Sequence, residues 1–184
     1  MKKVLILGLA LVAMGLIYAF MPKDHVAGTS ANKAAEGEIA WMSWDEAVKA
    51  NEKAPKKIFI DFYTDWCGWC KKMDASTFKD PAVVDYVNKN FYAVKFNAEQ
   101  KQDVVFKGTT FSWMAGGRGG VHKLAYELLD GQLGYPSYVY LTPNFERILI
   151  SPGYKDATML SKELKFVSED KYNTVSWDQY KNSN

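Results

Sequence analysis

The chain has 184 residues, the length of one ordinary domain with additions, and 48% of them are hydrophobic, enough to build a real core. Its 23 basic and 21 acidic residues nearly balance, and no basic run alternates with aromatic residues, so the sequence excludes a nucleic-acid-binding protein that relies on charge. Two cysteines are too few for a disulfide scaffold, so their function has to be sought in their surroundings.

The first 21 residues differ in composition from the rest of the chain. A Lys-Lys start precedes residues 4–21, an uncharged apolar run that is typical of a secretory signal peptide. Ala19 is a small residue of the kind that precedes a cleavage site, but Ile17 is not, and the run is long enough to cross a bilayer. Two interpretations of residues 1–21 therefore stay open, a cleaved signal peptide and an uncleaved membrane anchor. Both predict that the remainder is exported to a periplasm-like space in which disulfides persist.

Residues 22–38 are small and polar, a composition that predicts a flexible linker, so we expect the folded domain to occupy residues 39–184. Its first predicted helix begins at Ser43, which can form a capping box with Glu46. The segment KIFIDFY, residues 57–63, is a nearly continuous apolar run that predicts a strand buried on both faces.

A helical pattern begins at the two cysteines, and Asp80-Pro81 predicts the start of another helix because proline favours the first helical position. Residues 91–97 predict a second strand. Residues 106–133 are expected to form an irregular, glycine-rich insert that contains one short helix ended by Gly131.

Two further strands are predicted on either side of a turn at Pro143-Asn144, and a final helix is predicted from Asp156 to about Asp170. A strand-helix-strand order first and a hairpin last indicate a mixed sheet. The sequence therefore predicts an α/β fold in which helices cover the faces of a central mixed sheet.

Cys67 and Cys70 form a Cys-x-x-Cys pair that follows the predicted buried strand and begins a helix. Unpaired N–H groups and the dipole at a helix N-terminus stabilise an anion, which lowers the pKa of the first thiol and makes Cys67 a nucleophilic thiolate. Cys70 lies one turn further, close enough to attack a mixed disulfide and release the product. Trp66 and Trp69 would flank the reactive sulfur and offer a flat apolar rim to a substrate chain.

Three other uses of the two cysteines compete with a redox pair. A zinc site commonly has four ligands, and the chain adds only His25 and His122, of which His25 lies in the predicted linker. A thiol pair suits Cu(I), but no Met-rich or His-rich segment stands beside it. A structural disulfide across so short a loop removes little entropy from the unfolded chain. A redox pair is the favoured interpretation, and it implies no metal and no organic cofactor.

The segment IDFYTDWCGWCK resembles the active-site segment of the thioredoxin superfamily, in which a strand containing an aspartate precedes Trp-Cys-Gly-x-Cys-Lys. Tyr135-Pro136, before the strand SYVYLT, is similar to the family's cis-proline element, and YAVKFNAE is similar to its central strand. The likeness covers roughly residues 59–168, interrupted by the insert. The residues of the active-site segment that fall in register are Asp61, Trp66, Cys67, Gly68, Cys70 and Lys71.

The resemblance implies a thioredoxin-like fold with the insert placed before the cis-proline strand. It implies that Asp61 is a buried acid–base group near Cys70, with a pKa that burial raises, and that Lys95 lies near Asp61 and tunes it. It also implies a peptide-binding groove lined by Trp66, Gly68, Trp69, Tyr135 and Pro136.

These features predict an exported thiol–disulfide oxidoreductase whose Cys67–Cys70 pair exchanges with the thiols and disulfides of substrate proteins. A redox partner has to reset the pair, and in an exported setting we expect a membrane electron carrier. The active-site pattern favours a reductase or isomerase, but Gly68-Trp69 stands where cytosolic thioredoxins have Gly-Pro, so a disulfide-forming oxidase stays open. A non-catalytic thioredoxin-fold module for binding, chaperoning or metal handling is the alternative from a different class.

Overall fold

A computed structural model describes residues 37–117 and 119–183 of the chain. The predicted leader, residues 1–21, and the predicted linker up to residue 36 lie outside the described residues. The strands are β1 (Trp41–Met42), β2 (Lys57–Tyr63), β3 (Phe91–Asn97), β4 (Val104–Phe106), β5 (Thr109–Phe111), β6 (Trp113–Met114), β7 (Val121–His122), β8 (Ser137–Leu141) and β9 (Arg147–Pro152). The helices are α1 (Trp44–Lys53), α2 (Gly68–Ala75), α3 (Pro81–Asn90), α4 (Lys123–Leu128), α5 (Ala157–Ser168) and α6 (Trp177–Lys181).

The central sheet has five strands in the order β1-β3-β2-β8-β9. Strands β1, β3 and β2 run parallel, whereas β8 pairs antiparallel with both β2 and β9. The predicted mixed sheet is therefore confirmed. Its register places Asp61 of β2 between Lys95 of β3 and Tyr138 of β8.

The sheet has apolar clusters on both faces because its central strands are nearly continuous apolar runs. Strands β2 and β3 have the bounds predicted from the sequence, and five consecutive residues of β2 are buried. On one face, Phe59 and Tyr138 belong to a cluster with residues of α3 and α5; on the other, Ile60 and Val139 belong to a cluster with residues of α1 and α4. Each fully buried apolar side chain of this kind contributes about 1.5–3 kcal/mol to folding.

The main helices begin at capping residues that are visible in the sequence. Ser43 Oγ accepts a hydrogen bond from the Glu46 N–H, and Glu46 Oε2 accepts one from the Ser43 N–H, which completes the predicted capping box at α1. The Asp80 carboxylate caps α3 ahead of its first residue, Pro81. Asp156 caps α5 by accepting from the N–H three residues later.

The insert contains strands that the sequence analysis missed. Residues 104–122 form two small antiparallel ribbons, β4–β5 and β6–β7, so the expectation of an irregular segment ahead of the short helix α4 is wrong. These strands have two or three residues each, too few for an alternating apolar pattern to appear. The first ribbon turns at Lys107-Gly108, where φ is 49° and 75°, as in the turns that close two-residue hairpins.

The C-terminal helix α6 packs on α5. The ring centroids of Trp177 and Tyr180 lie 5.3 and 5.1 Å from that of Phe166, which is 1% exposed. Ser176 and Gln179 form a capping box at the start of α6. Among residues 37–117 and 119–183, no helix has both the length and the apolar character needed to cross a bilayer.

Candidate active site

Cys67 and Cys70 are joined by a disulfide at the start of α2. Cys67 is the N-cap of that helix, and its Sγ accepts a hydrogen bond from the Cys70 N–H at 3.0 Å. The two cysteines are 4% and 2% exposed, whereas the neighbouring Trp66 and Trp69 are 65% and 56% exposed. The oxidised pair is therefore sheltered, and its surroundings present two large indole rings to solvent.

Gly68 is the first residue of α2 and lies in the chain between Cys67 and solvent-exposed Trp69. A Cβ atom built at Gly68 would meet no atom within 4 Å. The space beside the disulfide is open at this point, so a partner chain can approach the helix start closely.

Asp61 lies in the middle of β2 and is 1% exposed. Its Oδ2 accepts a hydrogen bond from Lys95 Nζ at 2.6 Å, and its Oδ1 has no hydrogen-bond partner in the part of the chain that the structure describes. Burial raises the pKa of Asp61 from its usual 3.8 to about 6, because Lys95 offsets only part of the cost of desolvation. The predicted proximity of Lys95 to Asp61 is confirmed, and the carboxyl group titrates close to neutral pH.

Lys95 also binds a second carboxylate, Asp74, which the sequence analysis missed. Asp74 lies on α2, four residues after Cys70, a spacing that brings side chains to one face of a helix and was visible in the sequence. Burial by itself would lower the pKa of Lys95, but Asp61 and Asp74 together raise it, so the ammonium stays charged. A surface cleft of about 260 Å³ reaches both Lys95 and Asp74. Three aromatic rings surround Lys95 Nζ with centroids at 5.0–5.2 Å: Trp41, Tyr63 and Phe78.

The peptide bond between Tyr135 and Pro136 is cis, and Pro136 is buried immediately before β8. Its carbonyl accepts a hydrogen bond of 2.8 Å from the Gly153 N–H, which ties it to the end of β9. The Tyr135 ring centroid lies 6.1 Å from that of Trp66, edge to face. The structure thus brings the predicted proline element beside the cysteine segment, although the two are far apart in the chain.

Trp66 is fixed by a residue that the sequence analysis did not select. The indole N–H donates to both carboxylate oxygens of Glu99, at 3.0 and 3.1 Å. Glu99 is the second residue after β3, and a Cβ atom at Gly119 of the insert would lie 3.4 Å from its Oε1. Burial, with a smaller contribution from Glu99, raises the pKa of Tyr135 to about 12, so the phenol is neutral at physiological pH. Gly119 of the insert therefore lies next to the carboxylate that binds Trp66.

Trp69 has different neighbours. Its ring centroid lies 5.3 Å from that of Tyr154, and Lys72 Nζ lies 4.8 Å from the Trp69 centroid and 5.0 Å from the Tyr154 centroid. Tyr154 comes from the connection between β9 and α5. Neither Tyr154 nor Lys72 was selected from the sequence. The contact of Tyr154 with Trp69 exists only after the sheet has formed, whereas the spacing of three residues between Trp69 and Lys72 on α2 was visible.

No group of three or more His, Cys, Asp or Glu side chains is arranged to hold a metal ion within residues 37–117 and 119–183. His122 is buried as the N-cap of α4, where its Nδ1 accepts from the Leu124 N–H at 3.2 Å. The second histidine considered for zinc, His25, lies outside the described residues.

A model of the protein family Thioredox_DsbH, described as a protein of unknown function (DUF255), matches residues 28–169. An uncharacterized protein of Caenorhabditis elegans, B0495.5, is 29% identical over 115 residues, which are 62% of this chain and 14% of that protein. The thiol:disulfide interchange protein DsbD of Vibrio vulnificus is 37% identical over 96 residues, covering 48% of this chain and 16% of that protein. The chain thus matches only a small part of these longer curated relatives.

A solution structure described as that of a candidate disulphide isomerase from Bacteroides thetaiotaomicron has a TM-score of 0.51 and 28% sequence identity. The match covers 72% of this chain and 95% of that one. The architecture described above is therefore shared with nearly the whole of that chain.

Proposed function

The chain belongs to the Thioredox_DsbH family of thioredoxin-like thiol–disulfide oxidoreductases, and from this premise we propose that it acts outside the cytoplasm as a reductase or isomerase of protein disulfides. One observation carries the proposal: a disulfide caps α2, and the strand that leads to it holds a buried carboxyl group, Asp61, with a pKa of about 6. A purely structural disulfide has no use for a buried acid, which is costly to desolvate. A dithiol that must lose a proton during each turnover does need a nearby group that accepts it.

In the first step of the proposed cycle, the Cys67 thiolate of the reduced protein attacks one sulfur of a substrate disulfide. A mixed disulfide forms between Cys67 and that sulfur, and the other substrate sulfur leaves as a thiolate. The Cys67 position at the N-cap favours the anion, because the Cys70 N–H donates to its Sγ and the dipole of α2 adds positive potential.

In the second step, Cys70 resolves the mixed disulfide. Cys70 is 2% exposed, so its thiolate has to form inside the protein. We assign the proton to Asp61, whose Oδ1 accepts no hydrogen bond from the described residues and whose pKa matches the task. The Cys70 thiolate then attacks the Cys67 sulfur, the Cys67–Cys70 bond forms, and the second substrate thiolate leaves. Two electrons have passed from the pair to the substrate.

The substrate in this proposal is a polypeptide that lies across the exposed indoles and the cis peptide bond. Trp66 and Trp69 offer apolar surface on the two sides of the helix start, and the open space at Gly68 lets a backbone approach. Tyr135 and Pro136 would form the wall next to Trp66, with Pro136 held by the Gly153 hydrogen bond.

A dithiol donor has to return two electrons to the pair after each turnover. We propose a membrane electron carrier; the relative from Vibrio vulnificus that is named a thiol:disulfide interchange protein supports a partner that exchanges thiols and disulfides with this chain. Residues 4–21 would direct the chain to the same compartment, as a cleaved signal or as a tether beside the carrier.

The proposal is tested by reduction of a disulfide-bonded model protein, such as insulin, with the full-length chain and its Cys67→Ser and Cys70→Ser variants. We expect turnover only by the unmodified chain. Cys67→Ser should be inactive, and Cys70→Ser should accumulate a mixed disulfide that mass spectrometry detects under non-reducing conditions. Equal turnover by Cys67→Ser and the unmodified chain would support the binding-module alternative and remove the enzyme proposal.

The direction of electron flow is tested separately by the reduction potential of the Cys67–Cys70 couple. A value near that of cytosolic thioredoxin, about −270 mV, supports a reductase, and a value near about −120 mV supports a disulfide-forming oxidase. Equilibration with glutathione or dithiothreitol buffers, followed by quantification of the reduced protein, gives the potential.

A further inference from the structure

One side of the disulfide carries a positive charge that the proposed cycle does not use. Trp69, Lys72 and Tyr154 form what we call the lysine platform: the Lys72 ammonium lies above both rings, at 4.8 and 5.0 Å from their centroids. Trp69 and Lys72 are three residues apart on α2 and so share one face of the helix, beginning one residue after the first position of α2. All three side chains are exposed.

Hydrogen bonds of the neighbouring residues hold the backbone that carries Tyr154. Gly153, with φ of 89°, donates its N–H to the carbonyl of Pro136, so the backbone just before Tyr154 is fixed against the cis peptide bond. Lys155, next in the chain, is 7% exposed and donates from Nζ to the carbonyls of three residues, at 3.2–3.4 Å: Ser151, Pro152 and Gly153. The backbone that carries the Tyr154 ring is therefore held by hydrogen bonds of the residues on both sides of it.

Lys72 has no carboxylate partner among residues 37–117 and 119–183, unlike Lys57, Lys79 and Lys95, which form ion pairs of 2.8 Å or less. Its Nζ lies over the two aromatic rings of the platform. An ammonium held over aromatic faces keeps its outer side free for an anion from another molecule.

Trp66, the other exposed indole beside the disulfide, contacts a side chain of the opposite charge. Trp66 donates its indole N–H to Glu99, and exposed Asp65 precedes it in the chain. The charged side chains in direct contact with the two indoles are therefore of opposite sign, a carboxylate at Trp66 and an ammonium at Trp69.

From this polarity, and resting on the proposed function, we propose that the substrate is a disulfide-bonded polypeptide with an acidic residue close to its reactive cysteine, and that Lys72 binds this carboxylate on the lysine platform. Trp69 and Tyr154 would receive the apolar part of the same side chain, while Lys72 pairs with its charge. The contact forms before the thiol exchange and acts on substrate selection, so Lys72 is a specificity-determining residue.

The test uses a set of short peptides, each with one cysteine in a mixed disulfide with neutral 2-mercaptoethanol. The peptides differ only in one residue, Glu, Gln or Lys, placed either two positions before or two positions after the cysteine. The full-length chain is reduced, freed of reductant and mixed with each peptide, and the rate of the first exchange is measured. We expect the Glu peptide of one of the two sets to react faster than its Lys counterpart, by up to about fivefold at low ionic strength, since exposed ion pairs are weak.

The variants Lys72→Gln, Lys72→Arg and Lys89→Gln separate selection from other effects. Lys89 is an exposed lysine of α3 that precedes the start of β3, at the end of the sheet opposite to the disulfide, and serves as the matched control. We expect the Glu-to-Lys rate ratio to fall to about one in Lys72→Gln and to persist in Lys72→Arg and Lys89→Gln. In unmodified protein it should also fall in 1 M salt, where the Debye length is about 3 Å.

A ratio that survives in Lys72→Gln would overturn the inference. So would an equal slowing of all peptides by that variant, because it would mean that Lys72 acts on the Cys67 thiol and not on the substrate. If the Gln peptides are reduced but Glu and Lys peptides react alike, the inference fails and the proposed function stands. If no peptide reacts, both fall.

Discussion

Replacing Asp61 by asparagine is expected to stabilise the oxidised protein at neutral pH and to leave its stability unchanged in mild acid. The pKa of Asp61 is about 6 in the folded protein against a usual value of 3.8. Between these two pH values the folded state keeps a proton that the unfolded state has released, so the free energy of unfolding falls as the pH rises. At about 1.4 kcal/mol for each pH unit, the loss amounts to about 3 kcal/mol by pH 7 to 8.

Asparagine has the shape of aspartate and carries no charge at any pH, so Asp61→Asn should escape this loss. Lys95 keeps its second partner, Asp74, in the variant. The difference in stability between the variant and the unmodified chain should therefore be near zero at pH 4 and reach about 3 kcal/mol in favour of the variant at pH 8. Glu163, the other buried carboxylate with a raised pKa, contributes equally to both proteins and cancels.

Urea unfolding of the oxidised proteins at a series of pH values from 4 to 8 measures this difference. Asp85→Asn, which changes an exposed aspartate on α3, is the matched control and should follow the unmodified chain at every pH. If the curves for Asp61→Asn and the unmodified chain stay parallel across this range, the buried carboxyl group does not titrate near 6 and its assignment as proton acceptor for Cys70 loses its basis.

Two further predictions concern packing away from the disulfide. Tyr140→Phe removes the hydroxyl that donates to buried Glu163 at 2.7 Å. The variant should have a free energy of unfolding about 1–3 kcal/mol lower in urea titrations, because the carboxylate loses a hydrogen bond. An unchanged midpoint would show that the carboxylate finds another donor. Gly120→Ala should destabilise the protein by about 1–3 kcal/mol, since φ is 80° and the new Cβ would lie 2.2 Å from a ring carbon of Trp113. Gly134→Ala, with open space at its Cβ, is the control. Equal stability of the two variants would contradict the steric argument.

The sequence was sufficient where a local pattern determines the structure. The bounds of β2 and β3 follow from apolar runs, and the start of α1 follows from a Ser43–Glu46 capping box. The position of the cysteines at the start of a helix was also predictable, because the strand before them and the helix after them are their direct neighbours in the chain.

The sequence was insufficient where a contact joins distant segments. Glu99 and Tyr154 reach the two indoles only through the sheet, and no periodicity links them to the cysteines. The two ribbons of the insert were not predicted for a different reason. Each strand is so short that its pairing is determined by turns and by packing on the domain. Asp74 is an intermediate case, since its spacing from Cys70 on α2 was visible but its partner, Lys95, comes from strand β3.

The contact between α6 and α5 bears on how the domain should be delimited for expression. The family match ends at residue 169, but Trp177 and Tyr180 lie beyond it and cover Phe166, whose ring they leave 1% exposed. A fragment cut at the end of the family match would uncover an aromatic surface on α5 that the intact protein shields, and such surfaces promote self-association. The structural domain therefore extends at least to the end of α6, and an affinity tag should not be placed between the two helices.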